Sequence, residues 1–246
     1  MNTTRIAVAA GKGGVGKTTI SCGISSVLAH KGYKTLVVDL DPQSNAAWGL
    51  GADPASPGAA ELLMGQKTTF QEVSRNLWVL AGGPLLKNQD IVRMDAESLL
   101  DAIRPLDYQA IVFDCPPSLD YLERLGLVAS TFAWVVLDAH PFAIQGASRV
   151  IADLESRKEK GREGATHCGL ITSRIDARRS LDRDVKEAVS LSFPGIPIVS
   201  VCQDAKLSMA STERQPIMNY SPTARGAEDL QSVIETQFEY LSWQKE

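Results

Sequence analysis

Short apolar runs recur along the whole chain, and they predict a set of buried strands. Continuous stretches of Val, Ile, Leu and Ala bounded by polar residues are typical of strands covered on both faces in a parallel sheet. The runs are RIAVAA at 5–10, KTLVVDL at 34–40, LWVLAG at 77–82, AIVFDC at 110–115, FAWVVLDA at 132–139, CGLITS at 168–173 and IPIVSV at 196–201.

Segments with helical spacing lie between most of these runs. The clearest examples carry apolar side chains on one helix face at Ile20, Ile24, Val27 and Leu28, and at Ile144, Ala147, Val150, Ile151 and Leu154. Strands alternating with helices predict an α/β fold with a doubly wound, mostly parallel sheet flanked by helices. We expect one domain over residues 1–246, with GADPASPGAA at 51–60 as a surface loop.

The first predicted strand runs directly into a glycine-rich loop. Residues Gly11–Thr18 read GKGGVGKT, a full match to the P-loop pattern G-x-x-x-x-G-K-[ST]. At the N-terminus of a helix, backbone N–H groups of such a loop cradle phosphates, with Lys17 on the β and γ phosphates and Thr18 on Mg²⁺. The predicted nucleotide-binding residues are Gly11, Lys12, Gly13, Gly14, Val15, Gly16, Lys17, Thr18 and Thr19.

Three aspartates follow predicted strands at the same edge of the sheet as this loop. DLDPQ places Asp39 and Asp41 after one strand, and FDCPPS places Asp114 after another. Ligands of doubly wound sheets bind at the carboxyl ends of the strands, and phosphoryl transfer needs carboxylates near the metal and the attacking water. The alternative for each is a helix cap or turn former.

Composition and charge limit the other classes of function. The chain is 44% hydrophobic, 22% charged and carries a net charge of −4, so any contact with nucleic acid requires a local basic patch. Residues 157–186 hold nine Lys or Arg against five acids, although such runs are often solvated helix faces. The cysteines form no C-x-x-C pair, and the first residues lack a signal peptide, so we expect reduced thiols in an intracellular protein.

The motifs together resemble the deviant Walker ATPases, the ParA type more than the MinD type. KGGVGKTT with Lys12, DLDPQSN, FDCPPSL and a late SPTARGAEDL carry the resemblance, which extends from about residue 5 to about residue 230. It implies a cytoplasmic, Mg²⁺-dependent ATP hydrolase that forms an ATP-sandwich dimer. Lys12 would reach the phosphates bound by the other subunit, and the alternative is an exposed lysine that only adds positive potential.

The same resemblance assigns roles to the aspartates. It implies that Asp41 positions the attacking water, that Asp39 lies next to the ligands of the metal, and that Asp114 is the metal-side carboxylate. Lys12, Lys17 and Asp41 are thus the expected catalytic residues, and Thr18, Asp39 and Asp114 the expected metal-site residues.

For partners, the resemblance implies nonspecific DNA binding by the dimer, a ParB-like adaptor and the segregation of a plasmid or chromosome on the nucleoid. RIDARRS points to Arg178 and TARGAED to Arg225 as DNA contacts. Asp204 stands where many relatives carry positive charge, and Lys206 and Arg214 are the candidates to compensate for it. Because the first strand begins almost at once, we expect no additional operator-binding region.

Other functions remain open at this level. The same chemistry could position a protein cargo such as a carboxysome, chemoreceptor cluster or flagellum. A metal-cluster carrier related to the nitrogenase iron protein shares the lysine-bearing loop, but it needs cysteines at a dimer seam. An ATP-dependent amide-forming or carboxylating enzyme needs a substrate pocket. The C-terminal segment carries acidic residues on its polar face, so we expect it to dock on the sheet and not on a membrane.

Overall fold

The computed structural model describes residues 3–117, 121–140, 142–176 and 178–243. Ser118 and Leu119 of the FDCPPSL segment, Ala177 of RIDARRS and the terminal Lys245 lie outside the described residues. The strands are β1 (Thr4–Ala9), β2 (Thr35–Asp39), β3 (Gln71–Ser74), β4 (Leu77–Leu80), β5 (Ala110–Asp114), β6 (Phe132–Leu137), β7 (His167–Ile175) and β8 (Ile198–Cys202). The helices are α1 (Lys17–His30), α2 (Asn45–Leu50), α3 (Ala59–Leu63), α4 (Gln89–Val92), α5 (Ser98–Ile103), α6 (Tyr121–Ala129), α7 (Ala143–Glu159), α8 (Ser180–Ser192), α9 (Ala205–Thr212), α10 (Ile217–Tyr220) and α11 (Arg225–Trp243), with a 3₁₀ helix at Pro84–Lys87.

Within the described ranges, the strands form one eight-stranded sheet in the order β3-β4-β2-β5-β1-β6-β7-β8. The predicted α/β fold is confirmed, and each of the seven apolar runs overlaps a strand. The strand that the sequence pattern missed is β3, which pairs antiparallel with β4 at the edge of the sheet. Its four residues, QEVS, are mostly polar because an edge strand with exposed residues needs no continuous apolar run.

Both faces of the sheet are covered, which explains the continuous apolar character of the central strands. Successive side chains of a strand point to opposite faces. In β1, Ile6 and Val8 pack in a core shared with α1 and α11, whereas Ala7 and Ala9 pack in a second core shared with α6 and α7.

The C-terminal helix docks on the sheet, as its sequence predicts. Leu230, Val233 and Ile234 of α11 are fully buried in the core beneath α1. Trp134 of β6 is also buried, and its indole Nε1–H donates to Gln237 Oε1 of α11 at 2.8 Å. In the described part of the chain, none of the helices combines the length and the apolar character that crossing a bilayer requires.

The predicted surface loop at residues 51–60 is partly confirmed. Its central residues are turns, but Ala59 and Ala60 begin α3 and are fully buried. The Gly58 N–H and Ala59 N–H are satisfied by Glu61 Oε2 and by the Ala81 carbonyl, respectively. The end of the loop is therefore anchored to Ala81, the residue directly after β4.

Gly169 provides a test of the core around β6 and β7. Gly169 is the register partner of Trp134, and a Cβ placed on it would lie 2.3 Å from Trp134 Cζ3. Gly169→Ala should lower the free energy of unfolding by about 1–3 kcal/mol, because the buried indole has to shift. Urea unfolding measures the change, with the exposed helix substitution Ser148→Ala as the control. Equal stability of the two variants would contradict this packing.

Candidate active site

The glycine loop connects β1 to α1 at the carboxyl edge of the sheet, where the C-terminal ends of the parallel strands lie. Gly14 and Gly16 have φ angles of 77° and 94°, a region that favours glycine. Gly16 caps α1 and has no side chain that could bond to the N–H groups of the first turn. Those groups, together with the positive end of the helix dipole, therefore suit a phosphate.

The loop is held from both sides by neighbouring elements. A Cβ on Gly11 would lie 2.3 Å from Gly146 Cα, so the backbones of the loop and of α7 touch there. On the other side, the Ser173 hydroxyl donates to the Val15 carbonyl, and Arg174 Nη1 donates to the Gly14 carbonyl at 2.8 Å. These contacts fix the loop before any ligand binds.

The two lysines of the loop lie in different environments. Lys17 is buried, with 7% of its surface exposed, and its charge acts on the Asp114 carboxylate. Lys12 keeps 34% of its side chain exposed, and its Nζ lies 2.8 Å from Asp138 Oδ1. One loop therefore presents one amine to the interior of the site and one to its rim.

Asp114 ends β5 and joins that strand to α1. Its Oδ2 accepts a hydrogen bond from the Thr18 hydroxyl at 2.8 Å, and its Oδ1 accepts one from the Ser21 hydroxyl at 2.7 Å. Complete burial raises the pKa of Asp114 to about 6, although both hydroxyls and the Lys17 ammonium act in the opposite direction. The predicted pair of Thr18 and Asp114 is thus brought into direct contact.

Asp39 lies beside Asp114, because the two residues are register partners at the ends of β2 and β5. Burial raises the pKa of Asp39 well above its ordinary value, and the Asp114 carboxylate adds to the effect. Asp39 accepts N–H groups from Asp41, at 2.9 Å, and from Ala46 and Ala47, at 2.9 and 3.1 Å. Its carboxylate therefore fixes the loop into α2, which is the capping alternative left open by the sequence, and its place next to a metal stays a prediction.

Asp41 lies two residues beyond the strand and is half-buried. Its Oδ1 accepts the Gln43 N–H at 2.9 Å, while its charge also raises the pKa values of Asp39 and Asp114. The structure therefore places all three predicted aspartates at one edge of the sheet, and Asp41 is the one that reaches solvent.

These groups fit a nucleotide bound with magnesium. The loop offers backbone N–H groups and an inward lysine for phosphates, while Thr18 and Asp114 place a hydroxyl and a carboxylate oxygen together for a hard cation. When bound, the metal would neutralise phosphate charge and relieve the repulsion between the two buried carboxylates.

Comparisons with known proteins agree with this geometry. A protein-family model described as an AAA domain matches residues 3–164. The chromosome-partitioning ATPase Soj of Thermus thermophilus is 30% identical over 234 residues, which cover 94% of this chain and 94% of that relative.

The chain belongs to the ParA/MinD superfamily of P-loop ATPases. A variant of McdA from Cyanothece, solved in complex with ATP, has a TM-score of 0.84 at 20% identity and covers 96% of each chain. MinD from Pyrococcus horikoshii, solved with Mg-ADP, has a TM-score of 0.78 at 23% identity and covers 95% of this chain and 96% of that one. The fold is shared with both, and the chain is an ATP hydrolase whose cofactors are ATP and Mg²⁺.

The ATPase also has a cavity beside the glycine loop that sequence reasoning did not assign. It has a volume of about 250 Å³ and opens next to Gly16 and Thr19. Ser173 and Arg174 near the end of β7, and Gln203 directly after β8, line its other side. Its position at the helix end of the loop suits the nucleoside of a bound nucleotide.

The basic segment at residues 157–186 does not form one patch in the ATPase. The nine-residue strand β7 separates its two halves by roughly 30 Å. Arg157 lies at the end of α7 near Asp153, whereas Arg178 follows the opposite end of β7. Arg174 is engaged with the glycine loop. The segment therefore does not provide one local basic patch, because the residues before β7 and those after it lie at opposite ends of this strand.

Arg178 and Arg225 nevertheless come together. Both line a cavity of about 730 Å³ that also includes Asp176 and Asp204. Arg178 binds Asp176 through a fork of two contacts at 2.9 and 2.8 Å, and this lowers the pKa of Asp176 to about 2. Arg225 is exposed in the first turn of α11.

Asp204 proves to be structural in this cavity. Its carboxylate accepts the Lys206 N–H at 2.8 Å and the Gly226 N–H at 2.9 Å, so it joins the starts of α9 and α11. Arg214 is not among the residues that line this cavity, because its guanidinium stacks on Trp48 at 4.2 Å and donates to the Ala52 carbonyl.

Sequence reasoning also missed three residues that contact the predicted site. Ser21 lies one turn beyond Thr18, so helical spacing could have identified it. Asp138 directly follows the buried strand β6, just as Asp39 and Asp114 are the last residues of β2 and β5, so the same strand-end signal could have identified it. Glu123 gives no such signal, since only the tertiary fold brings its Oε1 within 3.3 Å of the Ala10 N–H.

The buried carboxylates predict how stability depends on pH without nucleotide or Mg²⁺. Because the folded-state pKa of Asp114 lies above its unfolded value, the folded chain binds more protons between these two values. Its contribution to stability is present below pH 4 and is lost as the pH rises through 6. Asp114→Asn should therefore gain about 1–3 kcal/mol relative to the natural chain between pH 4 and pH 7.

Chemical unfolding at both pH values measures this difference. Asp107→Asn is the control, because the Asp107 side chain is 99% exposed. A stability difference between the natural chain and Asp114→Asn that stays constant with pH would contradict the expected burial of this carboxylate.

Proposed function

We propose that this ATPase closes into an ATP-sandwich dimer, binds DNA nonspecifically as that dimer, and is stimulated by a ParB-like adaptor to hydrolyse ATP and dissociate. Its task would be the segregation of a plasmid or chromosome. The relative Soj of Thermus thermophilus is named a chromosome-partitioning ATPase, which supports this choice of task. In this cycle, the ATP-bound dimer must bind DNA with much higher affinity than the ADP-bound or nucleotide-free protein does.

The single observation that carries the proposal is the divergence of the two loop lysines. Lys17 is buried beside the predicted metal site, so it suffices for the phosphates of its own protomer. Lys12 lies at the rim with one third of its side chain exposed, where a second protomer can approach. A cation supplied by a partner stabilises the charge on the transferred phosphoryl group and couples hydrolysis to dimerisation.

The remaining roles in hydrolysis follow from position. Thr18 and Asp114 would hold and orient the magnesium site, since their side chains are in contact. Asp41 is the half-buried carboxylate of the group, so it would orient the attacking water. Asp39 would support this arrangement through the amide groups that it binds around the loop into α2.

The cavity lined by Arg178 and Arg225 supports the DNA contact. Arg225 lies at the N-terminus of α11, where backbone N–H groups also favour a phosphate. Asp176 and Asp204 reduce the local positive charge, so we expect weak binding with strong dependence on salt.

The proposal predicts a specific defect for Lys12→Ala. ATP binding should remain, because Lys17 and the backbone N–H groups are intact, while hydrolysis should fall at least ~100-fold. Nucleotide-dependent dimerisation should weaken as well. Phosphate release and sedimentation with a non-hydrolysable ATP analogue measure the two effects, and Lys31→Ala, another lysine with 34% of its side chain exposed, is the control. Normal turnover in Lys12→Ala would contradict the proposal that Lys12 acts on the nucleotide bound by the other protomer.

DNA binding is tested with ATP analogue, with ADP and without nucleotide across a series of salt concentrations. Arg178→Ala and Arg225→Ala should each lower affinity equally for unrelated sequences and reduce the salt slope by about 1. Arg104→Ala, an exposed arginine on the opposite edge of the sheet, should have no effect. A natural chain that dimerises with the analogue but binds no DNA would instead favour the positioning of a protein cargo.

A further inference from the structure

Asp138 and Lys12 meet because of the register of two neighbouring strands. Ala9 of β1 and Val135 of β6 are register partners in a parallel pair. Lys12 lies three residues beyond Ala9, and Asp138 lies three residues beyond Val135. Both side chains therefore emerge at the same point of the carboxyl edge.

The contact between them is a direct ion pair within one protomer. Lys12 Nζ lies 2.8 Å from Asp138 Oδ1, with 34% of the lysine side chain and 27% of the aspartate side chain exposed. The backbone on both sides is fixed, since Gly11 touches Gly146 and the Asp138 carbonyl accepts the His140 N–H at 2.8 Å. With the loop backbone held at Gly11, Lys12 can leave this position by rotation of its side chain alone.

The ion pair competes with the role that Lys12 has in the proposed function. A lysine that reaches the phosphates of a second protomer must exchange one anion, the Asp138 carboxylate, for another. The two anions repel each other, so the carboxylate opposes the approach of the partner's nucleotide to this place. Without Lys12 bound to it, the same carboxylate would also lie uncompensated close to the dimer seam.

We propose that Asp138 is an intramolecular latch that holds Lys12 within its own protomer and thereby raises the protein concentration needed for ATP-dependent dimerisation. The inference rests on the proposed function, because it assigns Lys12 to the phosphates of the partner. It makes Asp138 a positioning residue that acts through Lys12. Its effect is to keep the nucleotide-bound chain monomeric, and catalytically inactive, until copies are concentrated.

The size of the effect follows from the exposure of the pair. Partly exposed ion pairs are weak, and their loss changes an equilibrium by about 2- to 5-fold. A dimer breaks two latches, so the dissociation constant of the dimer should change by the square of this factor, about 4- to 25-fold. The latch therefore raises the protein concentration at which the chain dimerises, and it does not prevent dimerisation.

The test compares Asp138→Asn with the natural full-length chain by sedimentation, with Mg²⁺ and a non-hydrolysable ATP analogue. The variant should dimerise at about 4- to 25-fold lower protein concentration. Asp138→Glu keeps the charge and should behave as the natural chain does. Asp101→Asn removes an ion pair of equal length, 2.8 Å, far from the loop and should change nothing.

A second measurement examines the latch without dimerisation. In nucleotide-free protein, acetylation of Lys12 followed by mass spectrometry should be about 2- to 5-fold faster in Asp138→Asn. Lys31, with the same side-chain exposure as Lys12 and an ion pair to Glu235, serves as the internal reference.

The outcomes separate the latch from the proposed function. If the natural chain dimerises but Asp138→Asn dimerises equally or more weakly, the latch is overturned and the proposed function stands. Unchanged Lys12 acetylation also overturns the latch. If the natural chain stays monomeric while Asp138→Asn dimerises, the latch is supported in a stronger form. If neither dimerises, both the latch and the proposed function fail.

Discussion

The burial of two adjacent carboxylates is the constraint around which the site is arranged. Asp39 and Asp114 end neighbouring strands and are fully buried, so their charges are costly unless other groups compensate them. Three backbone N–H groups compensate Asp39, and two hydroxyl groups with the nearby Lys17 compensate Asp114. The loop into α2 and the first turn of α1 take their positions from these bonds. A divalent cation is the natural completion of such a site, which agrees with the Mg²⁺ dependence of the superfamily.

The glycine loop is held by its neighbours, and this determines where its two lysines lie. Gly11 contacts Gly146 and the backbone at Gly14 is held by Arg174, so the loop is fixed in a conformation that separates its two lysines. Lys17 serves the interior, and Lys12 remains at the rim beside Asp138. The proposed dimer and the proposed latch both derive from this rigid division, since a flexible loop would allow either lysine to reach the bound phosphates.

Strand geometry, and not proximity in the sequence, decides which charged residues become neighbours on the surface. The basic residues before β7 and those after it lie at opposite ends of this strand. The excess of four positive charges in this segment is therefore divided and does not make one basic surface. The residues brought together are Arg178 and Arg225, which are 47 positions apart along the chain. Asp176 and Asp204 lie in the same cavity, which distinguishes this surface from a uniformly positive one.

The sequence alone determined the sheet, the glycine loop and the aspartates after β2 and β5, because these depend on local signals: continuous apolar runs, glycines at fixed spacing and polar residues at strand ends. It also determined the family through those motifs. The edge strand β3 lacked such a signal, since polar side chains are tolerated there. The ion pair of Lys12 with Asp138, the contact of Glu123 with Ala10 and the cavity shared by Arg178 and Arg225 join residues far apart in the chain. Only the tertiary structure decided these, because strand order and register set which side chains meet, and neither is written in any local stretch of sequence.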